Sequence, residues 1–436
     1  MIARGLKEKI NNKTAKVAVI GLGYVGLPIT LEFSKAGFDV FGIDTDKKRL
    51  NTLLNKRSYI LEIPEQEIKS AIDRKNFFPK PDYKILKEVD IIIICVPTPL
   101  RKTKIPNISY IMKATRTIGK YFKRGSLIIV ESTTYPGTTR DVILPILSKG
   151  GLVEGKDFFL AFSPERIDPG NEKYSLANIP KVVGGISKKA GELTREIYSK
   201  IIKKVIMVSS AEAAEIVKLL ENTFRIVNIG LINEFAMLCN KLKINAWEVV
   251  EAAKTKPFGF MPFYPGPGIG GHCIPADPLY LSWKARKVGF RTKMIDLASK
   301  TNLFMPYYVC QQAEKLLIQQ NVDISKAKIL IMGVTYKKDV NDLRESPALD
   351  IIEILKKKGV KVSYCDPYIP YLKIDDINLK RCSCTAKNIR GSDLLVLVTD
   401  HTGFDYKFLA ANAGLVLDTR NIFGRLGIKT NNIVTL

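Results

Sequence analysis

The segment Gly21-Leu-Gly23-Tyr-Val-Gly26 falls where a short apolar run ends and an amphipathic pattern begins, and this placement constrains the chain more than any other feature. Lys16 to Ile20 reads as a strand. A helix with an apolar stripe of Leu27, Leu31 and Phe33 follows and stops near Gly37, and Phe38 to Ile43 reads as a second strand ending at Asp44. In such a strand–turn–helix the first glycine permits a tight turn. The second lets backbone approach a pyrophosphate, and the third lets helix and strand pack closely. The helix N-terminus then holds the anion through its N–H groups and dipole, with Tyr24 and Val25 inside the loop. An acid at Asp44 accepts hydrogen bonds from the adenosine ribose and repels a 2′-phosphate, so the pattern points to NAD rather than NADP. A glycine turn without a ligand is the alternative, and the flanking strands and the acid argue against it.

The rest of the chain follows from this start. Asp90–Val96 and Leu127–Val130 are continuous apolar runs of the kind buried in parallel sheets, and strands alternate with helices to about residue 205. From about 209 the pattern turns helical. Ala211 to Leu242 holds no proline and only Gly230, which predicts one long helix. A loop rich in Pro and Gly spans Pro257 to Pro278, and helix resumes through the 280s to about 320. Strand patterns then return at Lys328–Met332, Lys361–Cys365, Leu394–Val398 and Leu415–Leu417, with a helix at Pro347–Lys358. The expected fold class is α/β, with two Rossmann-like doubly wound parallel-sheet domains joined by a helical domain. The expected boundaries are 1–208, 209–320 and 321–436.

A chain of 436 residues, 46% hydrophobic and 25% charged, suits a multidomain globular protein. No apolar run approaches the ~20 residues of a membrane span, and the first residues lack the apolar core of a secretion signal. Seven thinly spread cysteines suit a reducing compartment, so the cytoplasm is expected. The formal charge of +25 raises the question of nucleic acid. The basic residues are dispersed and no nucleic-acid-binding signature accompanies them, so a solvated lysine-rich surface is the better reading, with no nucleic-acid and no membrane partner expected. Only two histidines are present, His272 and His401, and Cys382-Ser-Cys384 lacks the partners of a zinc site, so no metal is expected.

Gly268-Ile-Gly270-Gly271-His272-Cys273-Ile-Pro275-Ala-Asp277 is the stretch richest in chemistry. Dense glycine lets backbone come close to a ligand and presents a thiol at a loop end, and a helical turn starting there brings Asp277 near Cys273. A dehydrogenase that stops at a carbonyl has no use for a thiol. One that continues to an acid gains from it, because a thiolate adds to the aldehyde and the thiohemiacetal can be oxidised again to a thioester. The other six cysteines fall in apolar strands, helices or the C-terminal pair and read as packing. In Glu215-x-x-Lys218-x-x-x-Asn222 the spacing puts three polar residues on one helix face. There Lys218 offers charge to an oxyanion and Asn222 a hydrogen bond, although such a face is more often merely solvated. Ser163-Pro164-Glu165-Arg166 adds a carboxylate able to activate water, or an exposed turn. Gly333-Val-Thr-Tyr-Lys337-Lys338, with Arg344 nearby, places basic residues where the first domain has glycines, suiting a different phosphorylated ligand.

Together these pieces resemble the UDP-glucose/GDP-mannose dehydrogenase family over nearly the whole chain. The resemblance is carried by G-L-G-Y-V-G-L-P at 21–28, V-P-T-P at 96–99, E-S-T-T-Y-P-G-T at 131–138, S-P-E-R at 163–166, K-L-L-E-N at 218–222, G-G-H-C-I-P-A-D at 270–277 and Y-K-K-D-V-N-D-L-R-E-S at 336–346. It implies NAD-binding, helical dimer-core and UDP-sugar-binding domains, a homodimer or larger homo-oligomer, and oxidation of C6 of a nucleotide sugar to a carboxylate with two NAD. By motif, it implies that Cys273 is the nucleophile, that Lys218, Asn222 and Asp277 handle the oxyanion and a bound water, and that Glu165 is the base for thioester hydrolysis with Thr133 positioning water. It further implies that Asp44 and Arg49 hold the ribose side of NAD, that Thr98 and Thr133 line its inner half, and that Arg344 approaches it. Glu165, Arg166, Lys218, Asn222, Lys337 and the loop around Tyr264 to Gly271, Gly270 included, are implied to bind the UDP-sugar. Residues 163–171 and 256–273 look most like the branch that oxidises UDP-N-acetylglucosamine, with its C2 epimer UDP-N-acetylmannosamine as the alternative.

Overall fold

The computed structural model describes residues 2–60, 62–100, 105–167, 174–271, 273–374 and 376–436. By internal contact the chain forms two units, Met1–Glu221 with Leu279–Phe290, and Asn222–Pro278 with Arg291–Leu436. The helical stretch that separates the two sheets in sequence contributes to both units, residues 209–221 and 279–290 to the first and 222–278 and 291–320 to the second.

The first unit is built on eight strands: β1 (Val17–Ile20), β2 (Val40–Ile43), β3 (Phe77–Lys80), β4 (Ile91–Ile94), β5 (Leu127–Val130), β6 (Phe159–Phe162), β7 (Lys181–Gly185) and β8 (Val205–Met207). Their order is β3-β2-β1-β4-β5-β6-β7-β8, parallel except for the antiparallel β6–β7 pair. The order reverses between β1 and β4, which pair in register from Val17↔Ile91 to Ile20↔Ile94. Both sheet faces are covered. Val17, Val19, Ile91 and Ile93 enter one core while Ala18, Ile20, Ile92 and Ile94 enter another, as the two-residue period of a strand requires. That double burial is why these strands read as unbroken apolar runs.

The second unit carries β9 (Lys328–Met332), β10 (Lys361–Cys365), a β11–β12 hairpin (Tyr371–Ile374, Ile377–Lys380), β13 (Leu394–Leu397), β14 (Val416–Asp418) and β15 (Ile433–Thr435). The sheet order is β10-β9-β13-β14-β15, all parallel. Here the switch point lies between β9 and β13. The helix Ala211–Leu242 is continuous over 32 residues. In its second half Gly230 lets it approach the helix Lys293–Gln319 closely, since a Cβ there would sit 3.1 Å from the Cα of Ala298. The helical stretch of the 280s to 320 is two helices, Asp277–Lys287 and Lys293–Gln319, separated by a turn in which Gly289 takes φ +77°.

Candidate active site

The glycine loop of the first unit has the shape its sequence predicts. Gly21 sits at φ +92°, and a Cβ there would lie 2.6 Å from the carbonyl oxygen of Cys95. A Cβ on Gly26 would overlap the Gly21 carbonyl at 1.8 Å, so the third glycine is needed for the turn to close on the helix Gly26–Lys35. Gly23 differs, because a Cβ there would meet nothing within 4 Å. The middle glycine is therefore spared a side chain for something other than the protein's own packing, which fits a diphosphate laid over the loop. Asp44 ends β2 with its carboxylate accepting from Leu22 N at 2.9 Å and Asp46 N at 2.8 Å, and Arg49 Nη1 stands 3.4 Å away. The Tyr59 hydroxyl donates to the Leu22 carbonyl. Tyr24 is exposed and Val25 half-buried at the helix entry.

Around this loop, the Thr98 carbonyl accepts from the Tyr280 hydroxyl at 2.7 Å, and Thr133 is half-buried in the segment after β5. That segment is fastened by Glu215, which accepts from Gly137 N at 2.6 Å, Thr139 N at 2.9 Å and Thr139 Oγ1 at 2.7 Å. Burial pushes the Glu215 carboxyl up to about 7, with the three donors pulling the other way. The helix spacing grouped Glu215 with Lys218 and Asn222, but its partners make it a strut for the 137–139 turn. Beneath the same segment Glu131 accepts from Lys181 Nζ at 2.8 Å and from the Tyr198 hydroxyl, all three being buried. Sequence reasoning missed this set, since only burial distinguishes these charges from solvated ones.

Lys218 is buried on the long helix and donates to the backbone oxygen of Glu165 at 2.7 Å, with the Glu165 carboxylate 3.9 Å from its ammonium. The two residues that the motifs single out separately are thus brought together. Arg166 donates to Pro180 O at 2.7 Å and pairs with Glu221, so its guanidinium braces the loop against the helix. The remainder of the S-P-E-R segment, 168–171, lies outside the described residues, as does His272.

In the second unit Cys273 is half-buried at the end of the glycine-dense loop, and its carbonyl accepts from Asp277 N at 2.8 Å, the turn that opens the helix Asp277–Lys287. The buried Asp277 carboxylate accepts from Asn222 Nδ2 at 2.6 Å. The loop itself is fixed by a buried amide relay. Gly266 N donates to Asn233 Oδ1 at 2.9 Å, Asn233 to Asn302 at 2.9 Å, and Asn302 to Ile226 O at 3.0 Å. Gly270 and Gly271 are glycine for packing. A Cβ on either would come within 2.5 Å or 2.8 Å of Tyr336, and Gly271 N donates to Arg344 O at 2.9 Å. The two glycines thus give the loop its close approach to the 336–347 segment. Tyr264 stacks on Trp247 and donates to Glu251 at 2.6 Å.

The second sheet repeats the first loop with a different outcome. Gly333 follows β9 at φ +77°, and Asp366, ending β10, accepts from Val334 N at 2.7 Å as Asp44 does from Leu22. Asp366 also accepts from Tyr368 N at 2.8 Å and Ile369 N at 3.1 Å, and faces His401 Nε2 at 3.1 Å. Burial works against its charge, but His401 and the Val334 amide outweigh it and hold the carboxyl below the usual range. This acid keeps a buried histidine besides its backbone amides, where Asp44 has backbone amides and Arg49. Lys337 is half-buried in the loop, and the exposed Arg344 pairs with Asp342 at 2.5 Å. Among the described residues no cluster of His, Cys, Asp and Glu is suited to a metal, and no helix is long and apolar enough to cross a membrane.

Comparison with known proteins fits this geometry. Residues 15–202 match the NAD binding domain of the UDP-glucose/GDP-mannose dehydrogenase family, 212–303 its central domain and 330–425 its UDP binding domain. A UDP-N-acetyl-D-glucosamine 6-dehydrogenase of Salmonella typhi is 39% identical over 356 residues, 81% of this chain and 82% of that one. A UDP-N-acetyl-D-mannosamine dehydrogenase of Methanococcus maripaludis is 38% identical over 397 residues, 89% of this chain and 87% of that one. The solved structure of a UDP-D-ManNAc dehydrogenase from Pyrococcus horikoshii superposes with a TM-score of 0.86 at 33% identity, covering 96% of this chain and 97% of that one. NAD is the cofactor of the first unit, and the chain belongs to the UDP-glucose/GDP-mannose dehydrogenase family.

Proposed function

We propose that the protein oxidises C6 of a UDP-N-acetylhexosamine to the carboxylate in two steps, with UDP-N-acetylglucosamine as its substrate. The observation that carries this reading is the Cys273 turn, a thiol at the end of a rigidly held loop, followed by a buried Asp277 that Asn222 fixes at 2.6 Å. Bound NAD supplies the hydride acceptor for each oxidation. The Cys273 thiolate adds to the C6 aldehyde, and Lys218 and Asn222 stabilise the oxyanion that forms. After the second oxidation the carbon is a thioester. Water activated by Glu165 and positioned by Thr133 and Asp277 then adds, the Cys273 thiolate leaves, and the carboxylate is released, so one water is consumed per product. Arg166, Tyr264, Gly270 and Lys337 belong to the sugar-nucleotide side, and Thr98 and Arg344 to the cofactor side.

Asp44 and Arg49 take the adenosine ribose, with Gly21, Gly23, Tyr24, Val25 and Gly26 around the diphosphate. The unmodified protein should prefer NAD to NADP, and Asp44→Ala should narrow the ratio of the two kcat/KM values by about tenfold or more, since like-charge repulsion of the 2′-phosphate is removed. Equal use of both cofactors before substitution would show that Asp44 does not select. From Phe224 onward the long helix exposes Phe224, Leu231, Phe235, Leu238 and Leu242, and the helix Lys293–Gln319 exposes Leu297, Leu303, Phe304 and Tyr307. Apolar surface of this extent supports a homodimer joined through these helices. The thin spread of cysteines along the chain and the nucleotide-sugar substrate support a cytoplasmic location.

UDP-N-acetylmannosamine is the second reading, favoured by the relative that covers 89% of the chain. NADH release measured with UDP-GlcNAc, UDP-ManNAc, UDP-glucose, UDP-galactose and GDP-mannose separates them. The highest kcat/KM is expected with UDP-GlcNAc. A preference for the mannosamine epimer would select the second reading, and a preference for a sugar without the N-acetyl group would reject both.

A further inference from the structure

His401 is completely buried, yet the proposed chemistry gives it no part. It lies just beyond β13, and the loop it faces lies just beyond β9. These neighbouring strands pair from Leu394↔Ile329 to Leu397↔Met332, and their onward connections leave in opposite directions along the sheet. Open α/β sheets take ligands in the crevice at such a point, beyond the carboxyl ends of the strands. Every polar atom of the ring reaches across it. Asp339 N donates to Nδ1 at 3.0 Å, which leaves the ring proton on Nε2, and Nε2 faces Asp366 Oδ2 at 3.1 Å and Thr335 Oγ1 at 3.2 Å. Thr335 passes its own proton to Lys337 O at 2.9 Å, and Thr399 Oγ1 donates to Thr335 O at 2.6 Å.

The segment so held turns sharply at Asp339, which adopts φ +58°, a left-handed conformation that Asp enters as a single residue. Its backbone N–H is taken by His401, and its carboxylate accepts from Thr402 N at 2.9 Å. Lys337, one of the two lysines of the loop, lies two residues before this point and two after Thr335. We propose that His401 is the positioning residue of the nucleotide site in the C-terminal unit, a pin across the β9–β13 crevice that holds the Thr335–Asp339 loop in its binding shape. The inference rests on the reading that this unit takes the UDP half of the substrate. The imidazole touches no ligand. It acts through the loop, and a side chain lacking either nitrogen loosens one lip of the crevice.

The test is UDP binding to the full-length protein by calorimetry, together with steady-state kinetics. His401→Ala should weaken UDP binding and raise the KM for the UDP-sugar by about tenfold, as expected for lost buried hydrogen bonds, while kcat at saturation stays within about twofold and the KM for NAD does not move. His401→Gln, which restores a donor near the Nε2 position, should recover part of the loss. A folded His401→Ala that binds UDP like the unmodified protein and merely melts earlier makes His401 a packing residue and overturns the inference. If His401→Ala does not fold, Thr335→Val decides in the same way, because it removes the hydroxyl that links His401 to Lys337 O and nearly preserves volume. An unmodified protein that binds no UDP would instead overturn the reading beneath.

Discussion

Replacing Cys273 with serine should abolish formation of the uronic acid, with turnover falling by about 10⁴-fold or more, while NAD and the UDP-sugar still bind. The hydroxyl is a poor nucleophile near neutral pH, and an alkoxide is a far worse leaving group than a thiolate, so both the addition and the hydrolysis suffer. The surroundings should be unaffected. The Asp277 amide bonds to the backbone carbonyl of residue 273, a contact that serine keeps. Because an oxygen ester hydrolyses less readily than a thioester, slow turnover should leave a sugar adduct on the serine, visible as added mass on the intact protein. Near-normal acid production by the serine variant would make Cys273 a packing residue.

Lys218→Ala should fail differently. It removes one preorganised cation and leaves the nucleophile, so the expected cost is about 10²–10³ in kcat, equivalent to about 3–4 kcal/mol of transition-state stabilisation. The loss should fall on each step that builds charge on oxygen, hydrolysis included, with little change in NAD affinity. Lys218 also ties down the Glu165 backbone at 2.7 Å, so part of the effect will act through a loosened Glu165. Lys218→Arg keeps the charge but cannot match that single short contact, and it should recover only a fraction of the rate. An alanine variant with normal kcat would remove Lys218 from the chemistry.

What the sequence made legible divides along physical lines. Leu127–Val130 and Lys328–Met332 were read with their observed ends because their runs are apolar and buried almost throughout, and Lys361–Cys365 because Gly359 and Asp366 bound it. The strand Phe77–Lys80 escaped because it is an edge strand carrying Pro79, and Val205–Met207 because three residues hold too little pattern. The antiparallel β6–β7 pair was also invisible, since strand direction is a tertiary property. In the site, the glycine loop with Asp44 was legible because the backbone there must take conformations that only glycine permits. The struts were not. Glu215, the Glu131–Lys181–Tyr198 set and His401 look in sequence like any polar residue on a helix, strand or loop, and only their burial and partners give them roles. At 270 and 271 the structure adds a cause that spacing does not show, Tyr336 packed where a Cβ would stand.

A four-electron oxidation carried through a thioester on Cys273 fixes the stoichiometry, which is read by counting NADH against uronic acid in one reaction with an aldehyde trap present. Two NADH for every acid, with no aldehyde captured, is the expected result. One NADH per sugar, with free aldehyde accumulating in the trap, would contradict it.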